Sequence, residues 1–157
     1  KTIADLNGKA VVTTQGTTSD KYIKMGEKGE KVKVTNVYGK DHSDSFAMVA
    51  SGRAAAFVMD DNILAGLIAK SSNPKDFKIV GPVLSSEPYG IMLPKGDAAY
   101  KAIADKTVTT MWKNGQMAAL YKKWFQSPIA PKNVNLNMPM SSSYLKLKAN
   151  PTDAGIN

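Results

Sequence analysis

The 157-residue chain contains no cysteine, one histidine and one arginine, and no apolar run in it approaches the roughly 18 residues of a membrane span. Without cysteine there is no disulfide, no thiolate metal site and no cysteine nucleophile. Such a composition fits an exported bacterial protein. Nothing at the start reads as a secretion signal; Lys1-Thr2-Ile3-Ala4-Asp5-Leu6-Asn7-Gly8-Lys9 reads as the middle of a protein, which predicts a processed or shortened chain. Acid is also scarce: 13 Asp and Glu stand against 21 Lys and Arg, a net charge of +8. That excess would suit nucleic acid, an anionic surface or an acidic small ligand. The lysines are spread along the chain, and no stretch interleaves them with aromatics as a nucleic-acid groove does. They read as solvated helix faces, with no nucleic-acid partner. Arg53, after a Ser-Gly turn, reads as a surface residue.

The informative stretch is Val11-Val12-Thr13-Thr14-Gln15-Gly16-Thr17-Thr18-Ser19-Asp20, a short apolar strand running through Gly-Thr-Thr into a polar helix start. The first backbone N–H groups of a helix lack partners within the helix and sit at the positive end of its dipole. With two threonine hydroxyls beside them, they suit a small carboxylate. Ala54-Ala55-Ala56-Phe57-Val58-Met59-Asp60-Asp61 repeats the design with the opposite sign, an apolar strand ending in acid. One strand end for an anion and one for a cation make a site for a zwitterion, which reads as amino-acid binding.

Hydropathy predicts strands over 9–14, 31–37, 54–59 and 77–80. Helices are predicted over 18–26, over 44–52 with Gly52 as its end, and over 61–70 with Ile63, Leu64, Leu67 and Ile68 on one face. Alternating strands and helices predict an α/β fold with a parallel-type sheet. After Gly81-Pro82 the pattern changes. An extended crossing segment is expected over 85–94, then helices over 97–114 (Gly115 following as its C′ residue) and 116–125. A Pro- and Asn-rich stretch comes next, then weak helical signal near 144–149. The helices over 97–125 bring no strand of their own to cover.

These residues carry a resemblance. Asp5-Leu6-Asn7-Gly8-Lys9-Ala10-Val11-Val12, Gln15-Gly16-Thr17-Thr18-Ser19, Lys40-Asp41-His42-Ser43-Asp44-Ser45-Phe46 and Ser51-Gly52-Arg53-Ala54-Ala55-Ala56-Phe57-Val58-Met59-Asp60-Asp61 occur in order. They are followed by Tyr89-Gly90-Ile91-Met92-Leu93, Tyr121-Lys122-Lys123-Trp124-Phe125 and Pro128-Ile129-Ala130-Pro131-Lys132-Asn133. The set resembles the polar amino-acid solute-binding proteins of ABC importers, most closely the periplasmic glutamate/aspartate-binding type. The resemblance implies an α/β, periplasmic-binding-protein-like (type II) fold with two lobes that close on a ligand. Residues 1–85 would be the second lobe and 86–126 the hinge crossing and C-terminal return segment of the first lobe. Residues 127–157 would be an extension and tail, with most of the N-terminal lobe lacking.

The resemblance also implies roles. Thr17 and Thr18 hold the ligand α-carboxylate, which agrees with the reading of the helix start; as plain structure they would only cap the helix. Gly16 lets backbone approach the ligand. Asp60 takes the α-ammonium group from the C-terminal end of its strand, where open α/β sheets place ligands. Asp61 is the N-cap or first-turn acid of the next helix. His42, which alone would count as structural, faces an acidic side chain, and this favours glutamate or aspartate. Met59, Met111, Trp112, Tyr121 and Trp124 read as packing. Relatives also use first-lobe arginines for the ligand carboxylates, so weak binding by this chain alone is expected, without metal or cofactor. The apolar faces over 91–125 predict self-association or pairing with an N-terminal fragment. Two other readings stay open: the ligand-sensing lobe of a receptor, and an enzyme such as a dehydratase. Against the second, there is no acid/base pair beyond His42 and Asp60, no nucleophile signature and no metal cluster.

Overall fold

The computed structural model describes residues 2–25 and 32–154. The chain divides into two compact units, Lys1–Ser85 and Ser86–Asn157.

In the first unit a short 3-10 helix, Ile3–Leu6, leads into β1 (Ala10–Thr14), α1 (Ser19–Met25), β2 (Thr35–Gly39), α2 (His42–Ala50), β3 (Ala56–Phe57) and α3 (Asp61–Lys70). The strands form one parallel sheet in the order β2-β1-β3, with Ala10 opposite Thr35, Thr14 opposite Gly39 and Val11 opposite Ala56. Central parallel strands are covered on both faces, so they read as continuous apolar runs rather than alternating ones. β1 fits that rule: Val11, Val12, Thr13 and Thr14 are all buried. Its two faces are served by different helices. Thr13 donates to Asn36 Oδ1 at 3.3 Å, and Asn36 in turn donates to Asp20 of α1. Thr14 instead meets α2 through His42 and Ser45.

Four sequence expectations shift. The strand expected over 31–37 is β2 at Thr35–Gly39; residue 31 lies outside the described residues, as does residue 26 of the helix expected over 18–26. The third strand shrinks to Ala56–Phe57. No strand forms over 77–80. There the Phe77 ring packs on Phe46 at 4.7 Å while Ile79 and Val80 stand exposed, so the apolar run is spent on a ring contact and finds no ladder. The helix expected from 44 begins two residues earlier, at His42, because Asp41 caps it: Asp41 Oδ1 accepts the Asp44 N–H at 2.8 Å. Asp44 Oδ2 reciprocates by accepting the Lys40 N–H at 3.1 Å.

The second unit holds α4 (Ala98–Lys113), α5 (Gln116–Phe125) and α6 (Ser142–Ala149). Asp97 caps α4 through the Tyr100 N–H, and Ser141 caps α6 through the Tyr144 N–H. Gly115, at φ 84°, takes the left-handed position between α4 and α5 that favours glycine. Tyr144 is the hub of an aromatic cluster, 4.9 Å from Trp112 and 4.5 Å from Tyr121, with its hydroxyl donating to the Met117 carbonyl at 2.9 Å. Partial burial, with the neighbouring Tyr121 adding, pushes the Tyr144 phenol above its ordinary range. Lys101 of α4 pairs with Asp105 and Asp153, and the ammonium holds the Asp153 carboxyl below the usual carboxylate range. No described residue of this unit is buried. Tyr89, Ile91, Met92, Tyr100, Ile103, Leu120 and Trp124 are exposed.

Candidate functional site

In parallel strands all C-terminal ends share one edge, and in the first unit that edge gathers the residues singled out in the sequence. β1 ends at Thr14 and turns through Gln15 and Gly16 into α1. β2 ends at Gly39 and turns through Lys40 and Asp41 into α2. The two turns are tied by the Gln15 N–H donating to the Gly39 carbonyl at 2.9 Å. β3 runs out through Met59 to Asp60, and the Ser19 hydroxyl contacts the Met59 sulfur at 3.9 Å, which sets the β3 exit beside the start of α1.

His42 is the first residue of α2 and is half-buried. Its Nδ1 lies 2.8 Å from Thr14 Oγ1. Thr14 Oγ1 is also 3.0 Å from Ser45 Oγ, which donates to the Asp41 carbonyl at 2.9 Å. Neither Thr14 nor Ser45 was singled out in the sequence. A hydroxyl at a strand end and a serine one turn after a histidine were their only signals.

Gly39 was missed as well. A Cβ there would lie 2.2 Å from Ser45 Oγ, 2.7 Å from its N and 2.8 Å from its Cα. α2 therefore seats against β2 only because residue 39 has no side chain, and this close approach delivers Ser45 and His42 to Thr14.

Gly16 adopts φ 78°, while a Cβ there would meet nothing within 4 Å, so the turn needs glycine for its backbone conformation. Thr17 turns inward: its hydroxyl donates to the Thr14 carbonyl at 2.8 Å and its N–H to the same oxygen at 3.3 Å. Thr18 directly precedes α1 and is exposed. Asp60, half-buried, occupies the N-cap position of α3, yet its side chain makes no capping hydrogen bond. Asp61 is the first helical residue, so it serves as a first-turn acid rather than as the cap. The edge thus brings together a threonine-lined turn, an imidazole and a carboxylate that does not cap its helix. Among the described residues no group of His, Asp and Glu is arranged to hold a metal ion.

Residues 7–127 match the bacterial extracellular solute-binding proteins, family 3. The chain belongs to this family. Its α/β fold is of the periplasmic-binding-protein-like, type II, kind, and this family consists of solute-binding transport proteins rather than enzymes. The chain is 47% identical over 153 residues to the L-glutamate/L-aspartate-binding protein of Pseudomonas aeruginosa, covering 98% of itself and 51% of that protein. It is 41% identical over 157 residues to the glutamate/aspartate import solute-binding protein of Escherichia coli K12, covering all of itself and 52% of that relative. It therefore spans about half the length of these curated relatives. Among solved structures it resembles an ancestral arginine-binding protein bound to glutamine, at 33% identity and TM-score 0.65 over 80% of this chain and 53% of that one.

Proposed function

We propose that the first unit is the lobe of a periplasmic solute-binding protein that takes up an acidic L-amino acid, glutamate or aspartate, for delivery to the membrane subunits of an ABC importer. The observation that carries this reading is the convergence of Thr17 and Thr18, His42 and Asp60 on one edge of a parallel sheet. Thr17, Thr18 and the Gly16 turn receive the α-carboxylate, Asp60 the α-ammonium group, and His42 the side-chain carboxylate. The names of the Pseudomonas and Escherichia relatives support the acidic class. Thr17 gives up its bonds to the Thr14 carbonyl when it turns to a ligand, so its net contribution is the difference between two hydrogen bonds.

On this reading residues 1–85 are the second lobe, residues 86–126 cross the hinge and return into the first lobe, and residues 127–157 extend beyond it. A first-lobe cation on the ligand carboxylates would complete the clamp. Leaving one member of a buried charge pair without its partner costs about 2–5 kcal/mol, roughly 30-fold to several-thousand-fold in affinity. Weak binding by this chain alone follows, as does cover for the exposed apolar residues of the second unit by another copy or by a separate first-lobe fragment.

Isothermal titration of L-glutamate and L-aspartate into this chain tests the reading. Weak binding is expected, lost in Asp60→Ala and reduced in His42→Ala. Unchanged affinity in Asp60→Ala, or tight binding by a chain that light scattering proves monomeric, would overturn the assignment or the half-site, respectively.

A further inference from the structure

The groups around His42 form a chain of three contacts: Nδ1 to Thr14 Oγ1 at 2.8 Å, Thr14 Oγ1 to Ser45 Oγ at 3.0 Å, and Ser45 Oγ to the Asp41 carbonyl at 2.9 Å. The last member is a carbonyl, which only accepts, so the proton on that contact is Ser45's. Ser45 has a single proton. Its contact with Thr14 must then use the Thr14 proton, and the Thr14 contact with the imidazole must use a proton on Nδ1. In the reverse order Ser45 donates to Thr14 and Thr14 to Nδ1. The Asp41 carbonyl, which also accepts the Ser45 backbone N–H at 3.0 Å, would then face the Ser45 oxygen at 2.9 Å lone pair to lone pair, with no proton between them. Only one order gives each contact a proton.

We infer that Thr14 and Ser45 are positioning residues that lock His42 in the Nδ1–H tautomer, so that Nε2 takes up an acidic side chain only together with a proton. A neutral ring held this way presents a lone pair at Nε2, which repels a carboxylate and accepts from an amide. The same ring carrying a second proton donates to the carboxylate. Binding of an acidic amino acid is therefore coupled to uptake of one proton, and a glutamine-like amide competes better as pH rises. The tautomer stands on the geometry alone; the proton uptake rests on the acidic-ligand reading above.

Few charged or titratable groups lie on the segment of His42 and on the strands packed against α2. Asp41 and Asp44 flank it on its own segment, with their carboxylates on the Asp44 and Lys40 N–H groups, and Lys40 is exposed. β1 brings none. β2 brings Tyr38, whose hydroxyl donates to Asp20 of α1 at 3.1 Å. Asp60 stands at the exit of β3.

Because His42 is the only histidine in the sequence, untagged protein labelled with nitrogen-15 gives one imidazole in long-range proton–nitrogen spectra. With no ligand and the ring neutral, the expected spectrum is a protonated Nδ1 and a bare Nε2. A protonated Nε2, or an even mixture, would overturn the inference. Thr14→Val removes the acceptor and is expected to release the ring to the Nε2–H form, whereas Thr14→Ser restores Nδ1–H. Ser45→Ala frees the Thr14 proton to point at Nδ1 and should also erode the preference, so the question survives if one variant fails to fold. A tautomer indifferent to all three substitutions overturns the positioning role.

Titration of L-glutamate in two buffers of different ionisation enthalpy above neutral pH should then show about one proton taken up per ligand, with affinity falling about tenfold per pH unit. Glutamate binding with no proton uptake overturns the coupling. No binding at any pH overturns the acidic-ligand reading and the uptake together, and the ligand-free spectrum still decides the tautomer.

Discussion

At the scale of single residues the site depends most on a side chain that is absent. A methyl group at position 39 would collide with the backbone N and Cα of Ser45, which cannot rotate away as a flexible side chain would. Gly39→Ala is expected to push α2 off the sheet at a cost of roughly 1–3 kcal/mol or more, the range for forced overpacking. Urea unfolding should show a lower midpoint, and glutamate binding should fall further than the lost stability requires, because the shift also carries His42 away from Thr14. Gly16→Ala meets no steric obstacle, and any cost there comes from the positive φ, so its unfolding midpoint should fall less than that of Gly39→Ala. Comparing the two melts separates a contact requirement from a conformational one.

Among the elements, α2 matters most, since its first residue is the imidazole and its cap is Asp41. Asp41→Ala removes the acceptor for the Asp44 N–H and should destabilise the unit by about 1 kcal/mol, measurable in the same unfolding experiment. Elements with local punctuation were legible in the sequence. Gly52 and Gly115 marked helix ends, and the Gly-Thr-Thr turn and the Asp-Asp strand exit marked the edge where the proposed site lies. What escaped depends on distant partners. Phe77-Lys78-Ile79-Val80 has the composition of a strand, but a strand exists only beside another, and Phe77 is engaged with Phe46. Ala54 to Met59 pairs over two residues only, which composition does not disclose. Thr14 finds His42 and Ser45 across 28 and 31 residues of sequence, so no local pattern announces the hydroxyl chain. His42 was visible because it is the only one of its kind, but its supports were not.

For the molecule as a whole, the two units differ in how they hold together. The first has a sheet with a buried central strand, and the second rests on half-exposed rings around Tyr144. The raised Tyr144 phenol gives the second unit an alkaline weakness. Its stabilising contribution is complete below the ordinary tyrosine value of about 10 and is lost as pH rises through the higher folded-state value. Thermal melts above pH 10 should show this loss in the parent chain and less of it in Tyr144→Phe. With so many apolar side chains of that unit facing water, light scattering at micromolar concentration is expected to give more than a monomer mass, and a clean monomer would remove the case for self-association. The sheet order carries a further consequence, in the timing of synthesis. β1, paired on both sides in the finished sheet, is made first; its neighbours arrive only when the chain has reached Gly39 on one side and Phe57 on the other. Until then Val11 and Val12, which end wholly enclosed, lie along two open backbone edges. Loop closure across both gaps then sets the pace of refolding, and a nascent chain stalled before Ala56 is the species most in need of a chaperone.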